Sequence, residues 1–133
     1  MRKLFLLGAF AAAGLIAAPI GPALAKKASP VAALDTDNDS TVDSSEVKKS
    51  AEGLFDKLDT DKDGSIEPKE LHGRLSKKEF KTADPDNDGT LDKNEYIAVV
   101  EVLFKAADPD NDGTLDDKEF ASKDGKSLLR VVR

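Results

Sequence analysis

The amino-acid sequence predicts an all-α protein, a compact helical bundle in which four acidic loops are joined by single shared helices. Three observations predict it. Twelve-residue acidic segments recur four times at a period of 24 or 25 residues. The gaps between them are only 12, 13 and 12 residues long. Those gaps carry apolar residues at the spacing of a buried helix face.

Ahead of the repeats, residues 1–25 read as a cleavable signal peptide. Met1-Arg2-Lys3 is a short positive start, Leu4 to Ala18 an apolar run, and Ala23-Leu24-Ala25 a small-residue cleavage site. The run is short for a bilayer span and is followed by Pro19, Gly21 and Pro22. Export is therefore expected, with residues 26–133 as one small domain. Removing two of the 20 basic residues leaves 18 against 26 acidic ones, a net charge of −8. Such a balance offers no basic surface for nucleic acid, and no membrane contact is expected after signal cleavage. The chain has no cysteine, which excludes disulfides and thiolate metal sites.

Ser29-Pro30 is an N-cap followed by a first helical residue, and predicts a short helix before the first loop. The loops then start at Asp35, Asp59, Asp84 and Asp108: DTDNDSTVDSSE, DTDKDGSIEPKE, DPDNDGTLDKNE and DPDNDGTLDDKE. Each resembles the EF-hand calcium loop, with oxygen donors at positions 1, 3, 5, 9 and 12 and a backbone carbonyl at position 7. A hard cation needs six to eight oxygens at about 2.3–2.6 Å, so the chain has to wrap around it. The candidate ligands are Asp35, Asp37, Asp39, Thr41, Asp43 and Glu46 in loop one, and Asp59, Asp61, Asp63, Ser65, Glu67 and Glu70 in loop two. Loop three offers Asp84, Asp86, Asp88, Thr90, Asp92 and Glu95; loop four offers Asp108, Asp110, Asp112, Thr114, Asp116 and Glu119. Of the 26 acids, 20 fall on ligand positions, which an ordinary solvated acidic face does not explain. Position 6 has to turn with φ > 0, which suits Gly64, Gly89 and Gly113. Ser40 takes that place in loop one and is expected to strain it by about 1 kcal/mol.

Each short gap leaves room for one helix that exits one loop and enters the next. Val47, Ala51, Leu54, Phe55 and Leu58 mark the buried stripe of the first, and Tyr96, Val100, Leu103, Phe104 and Ala107 that of the third. A 12-residue helix holds its two loops about 18 Å apart, so loops joined by it cannot pair. Gly73 weakens the middle gap, and Ser76-Lys77-Lys78-Glu79 reads as a capping box opening a second short helix. A turn there would pair loop two with loop three and loop one with loop four, through Ile66 with Leu91 and Val42 with Leu115. Leu128, Leu129, Val131 and Val132 predict a short closing helix. Ile97, Val99 and Val102 lie off the main stripe, which suits either a helix buried on several sides or a contact with a second copy or a delivery partner.

The arrangement resembles the lanmodulin family of periplasmic lanthanide-binding EF-hand proteins from methylotrophic bacteria. The resemblance spans about Val31 to Arg133: four loops, gaps of 12 or 13 residues, Asp at position 9 in three loops, and Asp-Pro-Asp openings carried by Pro85 and Pro109. Thr36, Thr60 and Glu67 depart from it. It implies up to four bound lanthanide(III) ions, selectivity over Ca2+, ordering on binding, and a role in lanthanide uptake or handling. Charge points the same way independently. Five carboxylates around a divalent ion keep three negative charges, and around a trivalent ion two, so the crowded cage favours the trivalent ion.

Three other functions share parts of this pattern. A calcium buffer or sensor would use every ligand above, although the flexible Met-rich groove of a sensor is disfavoured by a single methionine, Met1. An enzyme is not expected, because the one histidine, His72, is alone and the carboxylates are committed to loops. Dockerin-like modules carry two such loops rather than four. Loop one, with neither proline at position 2 nor glycine at position 6, is expected to be the weakest site.

Overall fold

A computed structural model describes residues 28–133; the expected signal peptide and its cleavage site lie outside them. Helix α1 (Pro30–Leu34) starts where Ser29 accepts a hydrogen bond from the Ala32 amide through its side chain, with Pro30 in the first turn. Loop one follows and enters β1 (Val42–Asp43) and α2 (Ser44–Leu58); loop two carries β2 (Ser65–Ile66). Then come α3 (Lys77–Ala83), β3 (Leu91–Asp92), α4 (Lys93–Ala107), β4 (Thr114–Leu115), α5 (Asp117–Ala121) and α6 (Lys123–Val132). The two 15-residue helices α2 and α4 each exit one loop and enter the next. At about 1.5 Å per residue they are roughly 22 Å long, which holds the two loops that each one joins at opposite ends of the bundle.

Two-residue strands join loop one to loop four and, across the middle gap, loop two to loop three. β1 pairs antiparallel with β4, placing Val42 opposite Leu115, and β2 pairs with β3, placing Ile66 opposite Leu91. All four of these position-8 side chains are fully buried, so each bridge is also a corner of the core.

The core lies between α2, α4 and α6. Val47, Ala51, Leu54, Phe55 and Leu58 bury the inner face of α2, and Tyr96, Val100, Phe104 and Ala107 that of α4. Leu128, Val131 and Val132 of α6 close it. Burying such a side chain stabilises the fold by about 1.5–3 kcal/mol before the entropy of ordering is counted. Leu103 is only partly buried, as are Ile97 and Val99, while Val102 is 67% exposed. Helix α4 is thus covered on one broad face and open along one edge. Among the described residues no helix is long and apolar enough to cross a membrane.

The middle gap departs from a helical reading. Ser76 and Glu79 do form a capping box at the start of α3, but residues 68–75 make turns, with the Glu70 amide on the Glu67 carbonyl at 2.9 Å and the Arg74 amide on the Leu71 carbonyl at 2.9 Å. His72 at φ 48° and Gly73 at φ 77° break any helix there. Arg74, at the end of these turns, donates to the carbonyls of Arg130 at 2.9 Å and Arg133 at 2.8 Å. A cation thereby satisfies carbonyl groups at the C-terminus of α6.

Candidate metal centres

Each loop is organised around the aspartate at position 1. One oxygen of Asp35, Asp59, Asp84 and Asp108 accepts a 3.0 Å hydrogen bond from the amide at position 6, that of Ser40, Gly64, Gly89 and Gly113 respectively. This closes the turn and requires φ between 74° and 89° at position 6. Ser40 adopts φ 74°, as expected for the loop that lacks glycine. Position 4 is also left-handed in every loop, at Asn38, Lys62, Asn87 and Asn111. Asparagine tolerates that conformation best among non-glycine residues, so three Asn at position 4 were a readable signal of the turn.

Positions 5 and 7 form a second unit. The amide and hydroxyl of Thr41, Ser65, Thr90 and Thr114 all donate to Oδ1 of the aspartate two residues earlier, at 2.7–2.9 Å. The hydroxyl of Thr90 and then its amide hold the Asp88 carboxyl below its ordinary range, and Thr114 does the same to Asp112. Position 7 therefore orients a carboxylate with its side chain, a role additional to the backbone carbonyl expected of it.

Position 9 has a structural duty as well. Asp43, Asp92 and Asp116 are N-caps of α2, α4 and α5, each in a capping box with the glutamate at position 12. Position 12 returns a hydrogen bond from the position-9 amide to Oε2 in all four loops: 3.1 Å for Glu46, 3.1 Å for Glu70, 2.9 Å for Glu95 and 2.9 Å for Glu119. The D-x-x-E spacing that ends three of the loops is thus a helix start as well as a ligand pair.

Carboxylates converge in every loop. Ligand oxygens of Asp59, Asp61 and Glu70, of Asp84, Asp86 and Glu95, and of Asp108, Asp110 and Glu119 lie within 4.8 Å of one another. In loop one the converging set is Asp35, Asp37 and Asp39, and Glu46 stands outside it. The remaining predicted carboxylates also serve the turn and capping units, Asp63, Asp88 and Asp112 at position 5 and Asp43, Asp92 and Asp116 at position 9, while Glu67 pairs with Lys69 at 2.6 Å. Crowding registers in the protonation equilibria. Against the hydrogen bond from the Asp63 amide, desolvation and the charges of Asp63 and Glu70 push the Asp61 carboxyl up. Desolvation likewise raises Glu119, opposed by the Asp116 amide and reinforced by Asp110, Asp116 and Asp108. In Glu70 the balance reverses, because the Thr60 hydroxyl and the Glu67 amide lower it.

Two oxygens fit a cation directly. Asp108 is 6% exposed, and its Oδ1 has no hydrogen-bond partner; neither has the buried Oε1 of Glu119. Both residues belong to the loop-four cluster. Orphaned buried acceptors are rare and unfavourable, and these carry negative charge.

A family model described as EF hand matches residues 51–72, and one described as EF-hand domain pair matches residues 76–102 and 98–122. These matches take in loops two, three and four and place EF-hand domains in the chain. No curated protein matches it.

Proposed function

We propose that this chain captures trivalent lanthanide ions in its four loops, in the periplasm, for lanthanide uptake or handling, and that binding is coupled to folding. The reading rests first on the unpartnered oxygens of Asp108 and Glu119, two residues that cluster with Asp110, and such oxygens call for a cation. EF-hand domains supply the oxygen chemistry for hard cations. Preference for the trivalent ion follows from five carboxylates per loop, because attraction scales with ion charge while the donor cage suits ions of calcium's size equally. The resemblance to lanmodulins and the signal-like N-terminus support the periplasmic role.

The loops act in two pairs, one with four and two with three, since each bridge buries a hydrophobic side chain from both members. Folding is coupled to capture because clusters of like charge oppose the core until cations neutralise them. The activity is capture rather than catalysis. Calcium binding is the competing reading, and it uses the same ligands.

Terbium decides between them. Tyr96 is the only tyrosine in a chain without tryptophan, and it directly follows Glu95, so it sensitises terbium in loop three. Millimolar calcium is expected to leave stoichiometric terbium emission unchanged; ready displacement would make the chain a calcium-binding protein. Far-ultraviolet circular dichroism of the chelated protein, titrated with lanthanum, checks the coupling. Full helicity before any metal is added would refute it.

A further inference from the structure

The four loops differ at position 2, and the difference reaches the glutamate at position 12. In loop two, Oε1 of Glu70 accepts the Thr60 amide at 3.1 Å and the Thr60 hydroxyl at 2.6 Å. In loop one, Oε1 of Glu46 accepts the Thr36 amide, the Thr36 hydroxyl at 2.9 Å and the Asp37 amide at 3.4 Å. Each carboxylate oxygen offers about two lone-pair sites, so Oε1 is fully claimed in both loops. Its partner oxygen, Oε2, already serves the position-9 amide.

Proline stands at position 2 of loops three and four, and it has neither an amide proton nor a hydroxyl. Among the described residues no donor reaches Oε1 of Glu95, and Oε1 of Glu119 is buried without a partner. In loop one Glu46, held by Thr36 and Asp37, also falls outside the converging carboxylates, whereas Glu70 in loop two is held by Thr60 and still lies with Asp59 and Asp61.

We propose that position 2 sets the order of loading: Thr36 and Thr60 latch the position-12 glutamate by hydrogen bonds, whereas Pro85 and Pro109 leave it free for an incoming ion. The inference rests on the loops being cation sites. Closing both oxygens of Glu46 or Glu70 on an ion requires one threonine donor to be released, and the hydroxyl, which can rotate, is the one that leaves. The strand bridges give this difference an architecture. β1–β4 joins latched loop one to open loop four, and β2–β3 joins latched loop two to open loop three. Each pair thus holds one site that fills first and one that follows.

The test is a titration of the full chain with lanthanum and, separately, with calcium, followed through the amide resonances of Ser40, Gly64, Gly89 and Gly113, one per loop. Gly89 and Gly113 are expected to respond before Ser40 and Gly64. Thr60→Val and Thr36→Val keep the branched shape and the amide but remove the hydroxyl, and each is expected to tighten its own loop about three- to tenfold. In the other direction, Pro109→Thr is expected to weaken loop four more than Pro109→Ala, which restores the amide donor alone. If proline acted only by stiffening the chain, the two Pro109 variants would weaken the loop equally and the valine variants would change nothing; that result overturns the latch. Binding in all loops with Ser40 and Gly64 responding first also overturns it. A chain whose four resonances respond to neither ion overturns the metal reading and the latch together.

Discussion

The Tyr96 hydroxyl donates a 2.8 Å hydrogen bond to the Val131 carbonyl, in the interior of the bundle. Tyr96 follows a candidate ligand of loop three, and Val131 lies in α6, the helix that closes the core. Its ring meets Phe55 of α2 edge-on with centroids 5.6 Å apart. One side chain therefore ties a metal loop to both α2 and α6.

Tyr96→Phe is expected to destabilise the fold by about 1–3 kcal/mol, because the Val131 carbonyl loses its side-chain donor inside the core while the packing area is kept. Thermal melting of the loaded protein measures the loss. Alkali should act through the same group. Burial raises the Tyr96 phenol from about 10 to about 12. The stability it contributes is complete below pH 10 and is lost as pH rises through the window from about 10 to about 12. Phenolate absorbance should therefore emerge together with the loss of helicity, and Tyr96→Phe should flatten this alkaline limb. Phenolate formation near pH 10 with the helices intact would show the ring to be solvated.

Among the described glycines, Gly125 is the one packed against backbone. A Cβ there would lie 2.1 Å from the Glu119 carbonyl oxygen and 2.5 Å from Cα of Phe120, both backbone atoms that cannot swing aside. Gly125→Ala is expected to cost about 1–3 kcal/mol or more and to loosen loop four, since Glu119 would have to move. Gly53, in α2, has open space around it, and Gly53→Ala should stabilise by about 0.5–1 kcal/mol. Paired melting curves check both, and equal effects of the two substitutions would contradict the packing.

Ser40 holds φ 74° with its amide on Asp35. Ser40→Gly keeps that hydrogen bond and removes strain of about 1 kcal/mol, offset in part by the greater freedom of glycine in the unfolded chain. Loop one should tighten a few-fold, as followed by the residue-40 amide resonance during a lanthanum titration. Weaker binding would show that the left-handed turn is not what limits this loop.

Local chemistry was legible in the sequence wherever a residue type has one structural use. Gly64, Gly89 and Gly113 marked the turns, Ser29-Pro30 and Ser76 to Glu79 marked helix starts, and the stripes of α2 and α4 marked the core. Residues with two uses were read for only one of them. Asp92 and Glu95 are a ligand pair by spacing and a capping box by contact, and Thr60 looked like a missing proline rather than a donor to Glu70. Arg74 was silent, because the carbonyls it serves lie 56 and 59 residues further along the chain. The turns at 68–75 were hidden for a similar reason. Buried Leu71 and Leu75 mimic a helical i, i+4 pair, while His72 takes the left-handed conformation that Gly73 alone advertised.

Charge-based selectivity can be isolated at position 9. Oδ1 of Asp92 accepts the Glu95 amide at 2.8 Å, and Oδ1 of Asp116 accepts the amides of Lys118 and Glu119 at 2.8 and 2.9 Å. Asparagine presents an oxygen of the same shape to those amides, so Asp92→Asn and Asp116→Asn keep the helix caps and remove one charge per loop. Any weakening of the cap is common to both ions and cancels in their comparison. The attraction that is lost scales with the charge of the ion, three against two, at the same separation. The logarithmic loss of lanthanum affinity should therefore be about one and a half times the logarithmic loss of calcium affinity in each variant. Titration of Asp92→Asn with terbium through Tyr96, and calcium competition against it, measures both losses in loop three. Equal losses for the two ions would mean that the fifth carboxylate does not discriminate by charge, and selectivity would have to be sought in the size of the cage.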